Sequence, residues 1–176
     1  FDYELPEDLI AQRPLPERSA SRMMVLHRGE ERIEHRRFAD LPEYLRPGDC
    51  LVLNDTRVIP ARLVGWRASG GQVEVLLLRP TGDLHWEVLA RPARRLRVGE
   101  RIEFGPGLSA TVVYRGEEGL RRLAFEADGD FGELLDRYGQ TPLPPYIRRP
   151  ADSEDRGRYQ TVYARRPGAV AAPTAG

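Results

Sequence analysis

Leu51-Val52-Leu53-Asn54-Asp55-Thr56-Arg57-Val58-Ile59-Pro60-Ala61-Arg62 is the stretch around which the rest of the chain arranges itself. Its three opening apolar residues are too few for a helix and read as a buried strand. A polar tetrad follows, Asn54 to Arg57, in which every side chain can hydrogen-bond and two are charged. Asn, Asp and Thr favour turns because their short side chains bond nearby backbone groups. Val58-Ile59 resumes the apolar run, and Pro60 confines it to an edge or a strand end. A carboxylate and a guanidinium two residues apart at a strand end can hold a polar ligand. The plain alternative is a turn with a local Asp–Arg pair.

Downstream of Arg62 the pattern changes. Leu63–Trp66, Val73–Leu78, Leu84–Leu89, Arg101–Phe104, Ala110–Tyr114 and Leu120–Glu126 are short strand candidates separated by turn signals such as Ser69-Gly70-Gly71 and Gly105-Pro106-Gly107. Short strands in succession without helices between them predict a small antiparallel barrel of six strands. From Phe131 a helical spacing returns in Leu134, Leu135 and Tyr138, with Gly139 able to end it. Gln140 to Pro145 reads as an extended linker. Asp152 or Ser153 opens a helix that is expected to run through Tyr159 and Tyr163, which would share a face. Ala169 to Gly176 is small and apolar, suited to close approach by a ligand or to a tightly packed strand.

Upstream, Pro6 to Ala11 suits a first helical turn, with proline early and acids near the amino end. Met23-Met24-Val25-Leu26 reads as a buried strand, Gly29 as a hairpin turn, and Glu31 to Arg36 as the return strand. Asp40 is the expected N-cap of a short helix carrying Leu41, Tyr44 and Leu45.

Composition narrows the chemistry. The chain has 27 cationic and 27 acidic residues, so no overall basic field marks a nucleic-acid binder; any such site is a local patch. All the cations are arginine, which excludes a Schiff-base lysine and a P-loop lysine. Cys50 is alone, expected to be buried, and unable to form an internal disulfide, which fits a reducing cytoplasm. His27, His35 and His85 show no metal-ligand spacing, so no metal is expected. No run approaches the length of a membrane span. There is no Gly-x-Ser-x-Gly elbow and no base beside Cys50, which argues against a serine or cysteine triad.

The block Asn54-Asp55-Thr56-Arg57-Val58-Ile59-Pro60-Ala61-Arg62 resembles the signature of the S-adenosylmethionine:tRNA ribosyltransferase-isomerase family of queuosine biosynthesis. Three more blocks resemble that family in the same order: Phe1-Asp2-Tyr3-Glu4-Leu5-Pro6 with Ile10-Ala11-Gln12; Pro144-Pro145-Tyr146-Ile147; and Arg158-Tyr159-Gln160-Thr161-Val162-Tyr163-Ala164 with Gly168 to Gly176. Family members begin slightly upstream of Phe1 and continue well past Gly176, so the resemblance implies an amino-terminal piece, inactive on its own. It implies a mixed α/β base domain, here residues 1–62 and 140–176, with an inserted six-stranded antiparallel β-barrel at 63–139.

The activity so implied moves the ribosyl part of S-adenosylmethionine, a co-substrate, onto 7-aminomethyl-7-deazaguanine in a tRNA anticodon. It gives epoxyqueuosine, with adenine and methionine released, in the cytoplasm and without a metal. The alternative is a barrel module that binds RNA and catalyses nothing. Asp55 can accept from ribose hydroxyls or take a proton, with Asn54 and Thr56 orienting it. Arg57 can pair with a carboxylate or a phosphate. Tyr146, Tyr159 and Tyr163 offer ring faces to a sulfonium or a base, although each also suits a core position. We assign Asp55, Arg57 and Tyr146 as candidate catalytic residues, and Asn54, Thr56, Arg62, Tyr159, Tyr163, Thr174 and Gly176 as candidate substrate contacts. Arg91, Arg94, Arg95 and Arg97 crowd one inter-strand loop, either as a tRNA phosphate rim or as a solvated charged loop. Oligomeric state is not readable from the sequence.

Overall fold

A computed structural model describes residues 2–173. The chain packs as two compact units. One holds the chain up to Leu53 together with Tyr146–Arg149; the other holds Asn54–Pro145 and the chain from Pro150 onward.

In the first unit β1 (Arg22–His27) and β2 (Arg32–Arg37) pair antiparallel, from Arg22 opposite Arg37 to His27 opposite Arg32. The Met23–Leu26 run is a strand, but it is not buried. Met23 and Val25 are half-buried on one side, while Met24, Leu26 and Ile33 are exposed on the other. A two-stranded ribbon has only one covered face, so alternation wins over the apolar run. On the covered face Glu34 gathers His27 Nε2 (2.8 Å), Arg36 Nη2 (2.7 Å), the Tyr44 hydroxyl (3.0 Å) and Arg32.

Tyr44 ends a 3-10 segment, Phe38–Tyr44. Asp40 does not cap this segment as N-cap. It sits inside the first turn and its Oδ2 accepts from the Arg37 N–H at 2.9 Å. Pro6 to Ala11 yields only a 3-10 turn, Glu7–Leu9.

Leu51–Leu53 is not the buried strand its composition suggests. The three residues form no strand and are 60%, 87% and 52% exposed. A strand needs a neighbour to satisfy its backbone, and none of the described residues pairs here. Cys50 is exposed as well, not buried.

In the second unit β3 (Thr56–Val58) precedes the barrel strands β4 (Arg62–Arg67), β5 (Gln72–Gly82), β6 (His85–Arg91), β7 (Arg101–Gly105), β8 (Leu108–Arg115) and β9 (Leu120–Ala127). These six close in the order β4-β5-β6-β9-β8-β7, all antiparallel, which is the barrel expected from the turn spacing. Closure rests on a short seam in which Trp66 lies opposite Glu103 and Arg67 opposite Ile102.

Period-two alternation fills the interior. Leu63, Val73, Val75, Leu77, Val88, Ile102, Val112 and Leu123 are fully buried, each worth roughly 1.5–3 kcal/mol of transfer free energy. At the seam Gly65 must lack a side chain, because a Cβ there would lie 2.7 Å from atoms of Ile102 and Phe104.

Helix α1 (Phe131–Tyr138) closes one end of this core with Leu134 and Leu135. The Asp130 carboxylate caps it, accepting the Glu133 N–H at 2.8 Å. Gly139 ends it without adopting a left-handed conformation. Its reason to be glycine is steric, since a Cβ would sit 2.1 Å from the Pro60 carbonyl oxygen. Beyond it the Gln140 N–H donates to Arg62 O (2.8 Å) and the Arg62 N–H to Gln140 O (3.2 Å).

Helix α2 (Asp155–Arg158) is a single turn, and β10 (Arg166–Ala169) lies parallel to β3. The expected helix through Tyr163 is therefore absent. Gly157 weakens it, and Tyr159 leaves the helical region at φ −82°, ψ 48°. Tyr159 and Tyr163 do not share a helix face.

Candidate active site

The polar tetrad is built from its backbone outward. Asn54 Oδ1 accepts the Thr56 N–H at 2.9 Å, an Asx turn that consumes the Asn side chain in shaping the chain. The Asp55 carbonyl then accepts the N–H groups of Arg165 (2.7 Å) and Arg166 (3.2 Å). This fixes Asp55 at the entry of β3 and leaves its carboxylate 46% exposed, with Arg166 Nε 3.9 Å away.

β3 is held on both edges. On one side the Ile59 N–H reaches Ala169 O at 2.9 Å. On the other, the side-chain amide of Gln160 acts as a substitute strand: its Oε1 accepts from Val58 N–H and its Nε2 donates to Val58 O, both at 2.8 Å. An amide side chain carries an acceptor and a donor side by side, so it can satisfy both halves of a peptide at once. Thr161, next in sequence, is buried, and its hydroxyl finds no partner among the described residues.

Beside β3 lies a cavity of about 350 Å³. Ile59, Pro60 and Leu135 supply apolar wall; Arg57, Glu133, Asp136 and Arg156 supply charge. Arg156 Nη2 is spent on Asp136, at 2.7 Å from its carbonyl and 2.8 Å from Oδ1. Arg57 is exposed.

The structure thus brings Asn54, Asp55, Thr56 and Arg57 onto one clamped element. Arg62 is committed elsewhere: its guanidinium bonds Glu74 (2.6 Å) and the Leu143 carbonyl (2.9 Å). Tyr159 and Tyr163 are half-buried. Tyr146 belongs to the first unit and is 57% exposed. Thr174 and Gly176 lie outside the described residues. Arg91, Arg94, Arg95 and Arg97 are all exposed, around a 3-10 turn at Ala93–Arg95. No group of three or more His, Cys, Asp or Glu side chains able to hold a metal ion occurs among the described residues.

Two glutamines escaped the sequence reading. Besides Gln160, Gln12 ties two distant segments of the first unit. Its Nε2 donates to Tyr146 O (3.0 Å) and its Oε1 accepts from Arg148 N–H (2.7 Å). Arg148 in turn grips Glu7, whose carboxyl is held below the usual carboxylate range by that guanidinium. Both glutamines sit inside the quoted family blocks, which was the available signal.

Comparison with known proteins agrees with this frame. The family model described as "Queuosine biosynthesis protein" matches residues 1–176. The chain belongs to the queuosine biosynthesis family. It is similar to an S-adenosylmethionine:tRNA ribosyltransferase-isomerase of Syntrophotalea carbinolica, 53% identical over the whole chain and 52% of the relative. It is 56% identical to one of Symbiobacterium thermophilum over the same shares. The solved S-adenosylmethionine tRNA ribosyltransferase of Thermotoga maritima is 44% identical, covering 84% of this chain and 52% of that one, with a TM-score of 0.39. The chain spans about half the length of the curated relatives it matches. Among the described residues, no helix is long and apolar enough to cross a membrane.

Proposed function

We propose that this chain is part of an S-adenosylmethionine:tRNA ribosyltransferase-isomerase, which transfers and isomerises the ribosyl group of S-adenosylmethionine onto 7-aminomethyl-7-deazaguanine in tRNA, releasing adenine and methionine. The observation that carries this reading is the Asp55 carboxylate, open to solvent at the entry of a strand held at both edges. A positioned acid–base group needs such rigid support, because small displacements cost rate. In this reading Asp55 receives a ribose hydroxyl hydrogen bond or a proton. Asn54 and Thr56 set its backbone, and Arg57 faces an anionic part of either substrate. The adjoining cavity offers apolar wall and charged rim to a nucleoside-sized ligand.

Tyr146, Tyr159 and Tyr163 remain candidates for the sulfonium or a base, and Thr174 and Gly176 for substrate contact. Arg62 stays a candidate substrate contact as well, its guanidinium oriented by Glu74 and the Leu143 carbonyl. Arg91, Arg94, Arg95 and Arg97 are the proposed tRNA contacts. A metal-free reaction in the cytoplasm belongs to the same proposal, and the lone cysteine supports that location. So does the division into a base (1–62 and 140–176) and an inserted barrel (63–139). Support for the insertion comes from the reciprocal Arg62–Gln140 bonds, which join the barrel's entry to its exit.

The test is adenine release from S-adenosylmethionine in the presence of the modified tRNA, by a chain of the relatives' full length. Asp55→Asn is expected to reduce turnover roughly a hundredfold or more, the scale of a lost acid–base group, with melting temperature unchanged. Tight tRNA binding with no adenine release from the unmutated protein would favour the non-catalytic module instead.

A further inference from the structure

The barrel region from Arg62 to Ala127 carries eleven arginines. Five are neutralised locally: Arg62 by Glu74, Arg67 by Glu100, Arg79 and Arg122 by Glu87, and Arg101 by Glu103 and Glu126. The other six are Arg91, Arg94, Arg95, Arg97, Arg115 and Arg121, and none has a carboxylate within ion-pair distance among the described residues. These six are not scattered. They occupy two segments, the loop from Arg91 to Arg97 and the β8–β9 hairpin end from Arg115 to Arg121. The acids nearby are Glu117 and Glu118 at the hairpin turn, Glu74 opposite Arg91 but paired with Arg62, and Glu100, which accepts the Arg97 N–H at 3.1 Å and is paired with Arg67.

The two segments are joined. Arg121 is 2% exposed, and its guanidinium donates to Leu120 O (2.6 Å), to Gly116 O (3.2 Å) and across to Ala93 O, inside the basic loop. A second bond, Ala90 N–H to Gly119 O at 3.0 Å, runs alongside. The Arg121 Nε has no hydrogen-bond partner among the described residues. Burying a guanidinium without an anion is costly, so such a group persists where its neighbours fix it or an outside anion offsets it. Burial first, and then the charge of Arg115, hold its pKa below the ordinary arginine value. Like charges crowded in this way are relieved by a polyanion, and a row of phosphates is the partner that fits exposed arginines on a loop and a hairpin.

We propose that the Arg91–Arg97 loop and the β8–β9 hairpin end form one contact for the tRNA sugar–phosphate backbone, with Arg115 as an additional phosphate ligand and Arg121 as the positioning residue that locks loop to hairpin. This rests on the reading that tRNA is the macromolecular substrate.

The experiment uses a chain of the relatives' full length, measuring binding of a tRNA transcript across salt concentrations and, beside it, adenine release with the modified tRNA. Arg115 is exposed, so Arg115→Ala leaves the fold alone and should lower the log–log salt slope by about one, the value for one lost phosphate contact. Arg94→Ala with Arg95→Ala should lower it by about two. Arg121→Met, measured below its melting temperature, should lower the slope by about two or more although Arg121 touches no phosphate, and Arg121→Lys should restore part of it. A purely structural Arg121 would lower the melting temperature and leave the slope unchanged. Unchanged slopes in Arg115→Ala and Arg121→Met, beside a reduced slope in the loop double variant, would overturn the joint contact and leave the loop as sole phosphate rim. Unchanged slopes in all variants, with adenine release intact, would overturn the contact and leave the enzyme reading standing.

Discussion

Glu34 shows what one residue contributes when it is surrounded. Arg36 and Arg32 donate to its carboxylate, followed by Tyr44 and His27, and these bonds hold its pKa down at about 2 against an ordinary 4.5. The sign follows from linkage: the depressed group adds stability that is complete above pH 4.5 and is lost as pH falls through about 2. The first unit should therefore loosen between those values as Tyr44 and its 3-10 segment lose their anchor. The check is the carboxyl carbon shift of Glu34 in an NMR titration, together with the acid unfolding of Glu34→Gln. A titration midpoint near 4.5, or an acid limb identical in the variant, would remove Glu34 as anchor. Asp55 presents the opposite case, a carboxylate left open while its backbone is tied down.

At the level of elements, β3 is only three residues long and survives because it is clamped. Its parallel partner β10 contains Pro167 and a register irregularity at Pro167/Ala169, so that edge is weak. The Gln160 amide compensates on the opposite edge. Gln160→Ala should leave both backbone groups of buried Val58 unpaired, at about 1–3 kcal/mol. In a chain of the relatives' full length, turnover should fall with it because Asp55 loses its support. The two are separable by measuring kcat well below the melting temperature; unaltered kcat in a destabilised variant would show that β3 need not be rigid. The barrel strands need no such device. Each has a neighbour on both sides and an interior that alternation fills by itself.

At the scale of the whole molecule, the proposed activity can be tested against how much of a relative this chain spans. The chain spans 52% of a relative such as that of Syntrophotalea carbinolica. It also exposes Leu51–Leu53 and the Met24, Leu26 and Ile33 side of the β1–β2 ribbon, apolar surface that ordinarily marks an interface. Under the proposed function, the 176-residue chain is expected to bind tRNA through its barrel yet release no adenine, because a site that also draws on the relatives' other half would lose positioning and water exclusion without it. Adenine quantified after incubation with both substrates decides it. Normal turnover by this chain would refute the argument.

Local physics made much of this protein legible in its sequence. Short apolar runs, the turn glycines between them, and the helical spacing of Leu134, Leu135 and Tyr138 are short-range signals, and they specified six strands and a helix in order. The family blocks marked the right neighbourhoods for the same reason, since their residues are contiguous. Tertiary structure decided what each segment meets. Leu51–Leu53 has the composition of a strand and no partner among the described residues, while Gln160 closes on Val58 across 102 positions and Gln12 on Tyr146 across 134. A side chain's type limits which bonds it can make. Which backbone comes within 3 Å of it depends on chain closure between distant segments, and no local pattern encodes that.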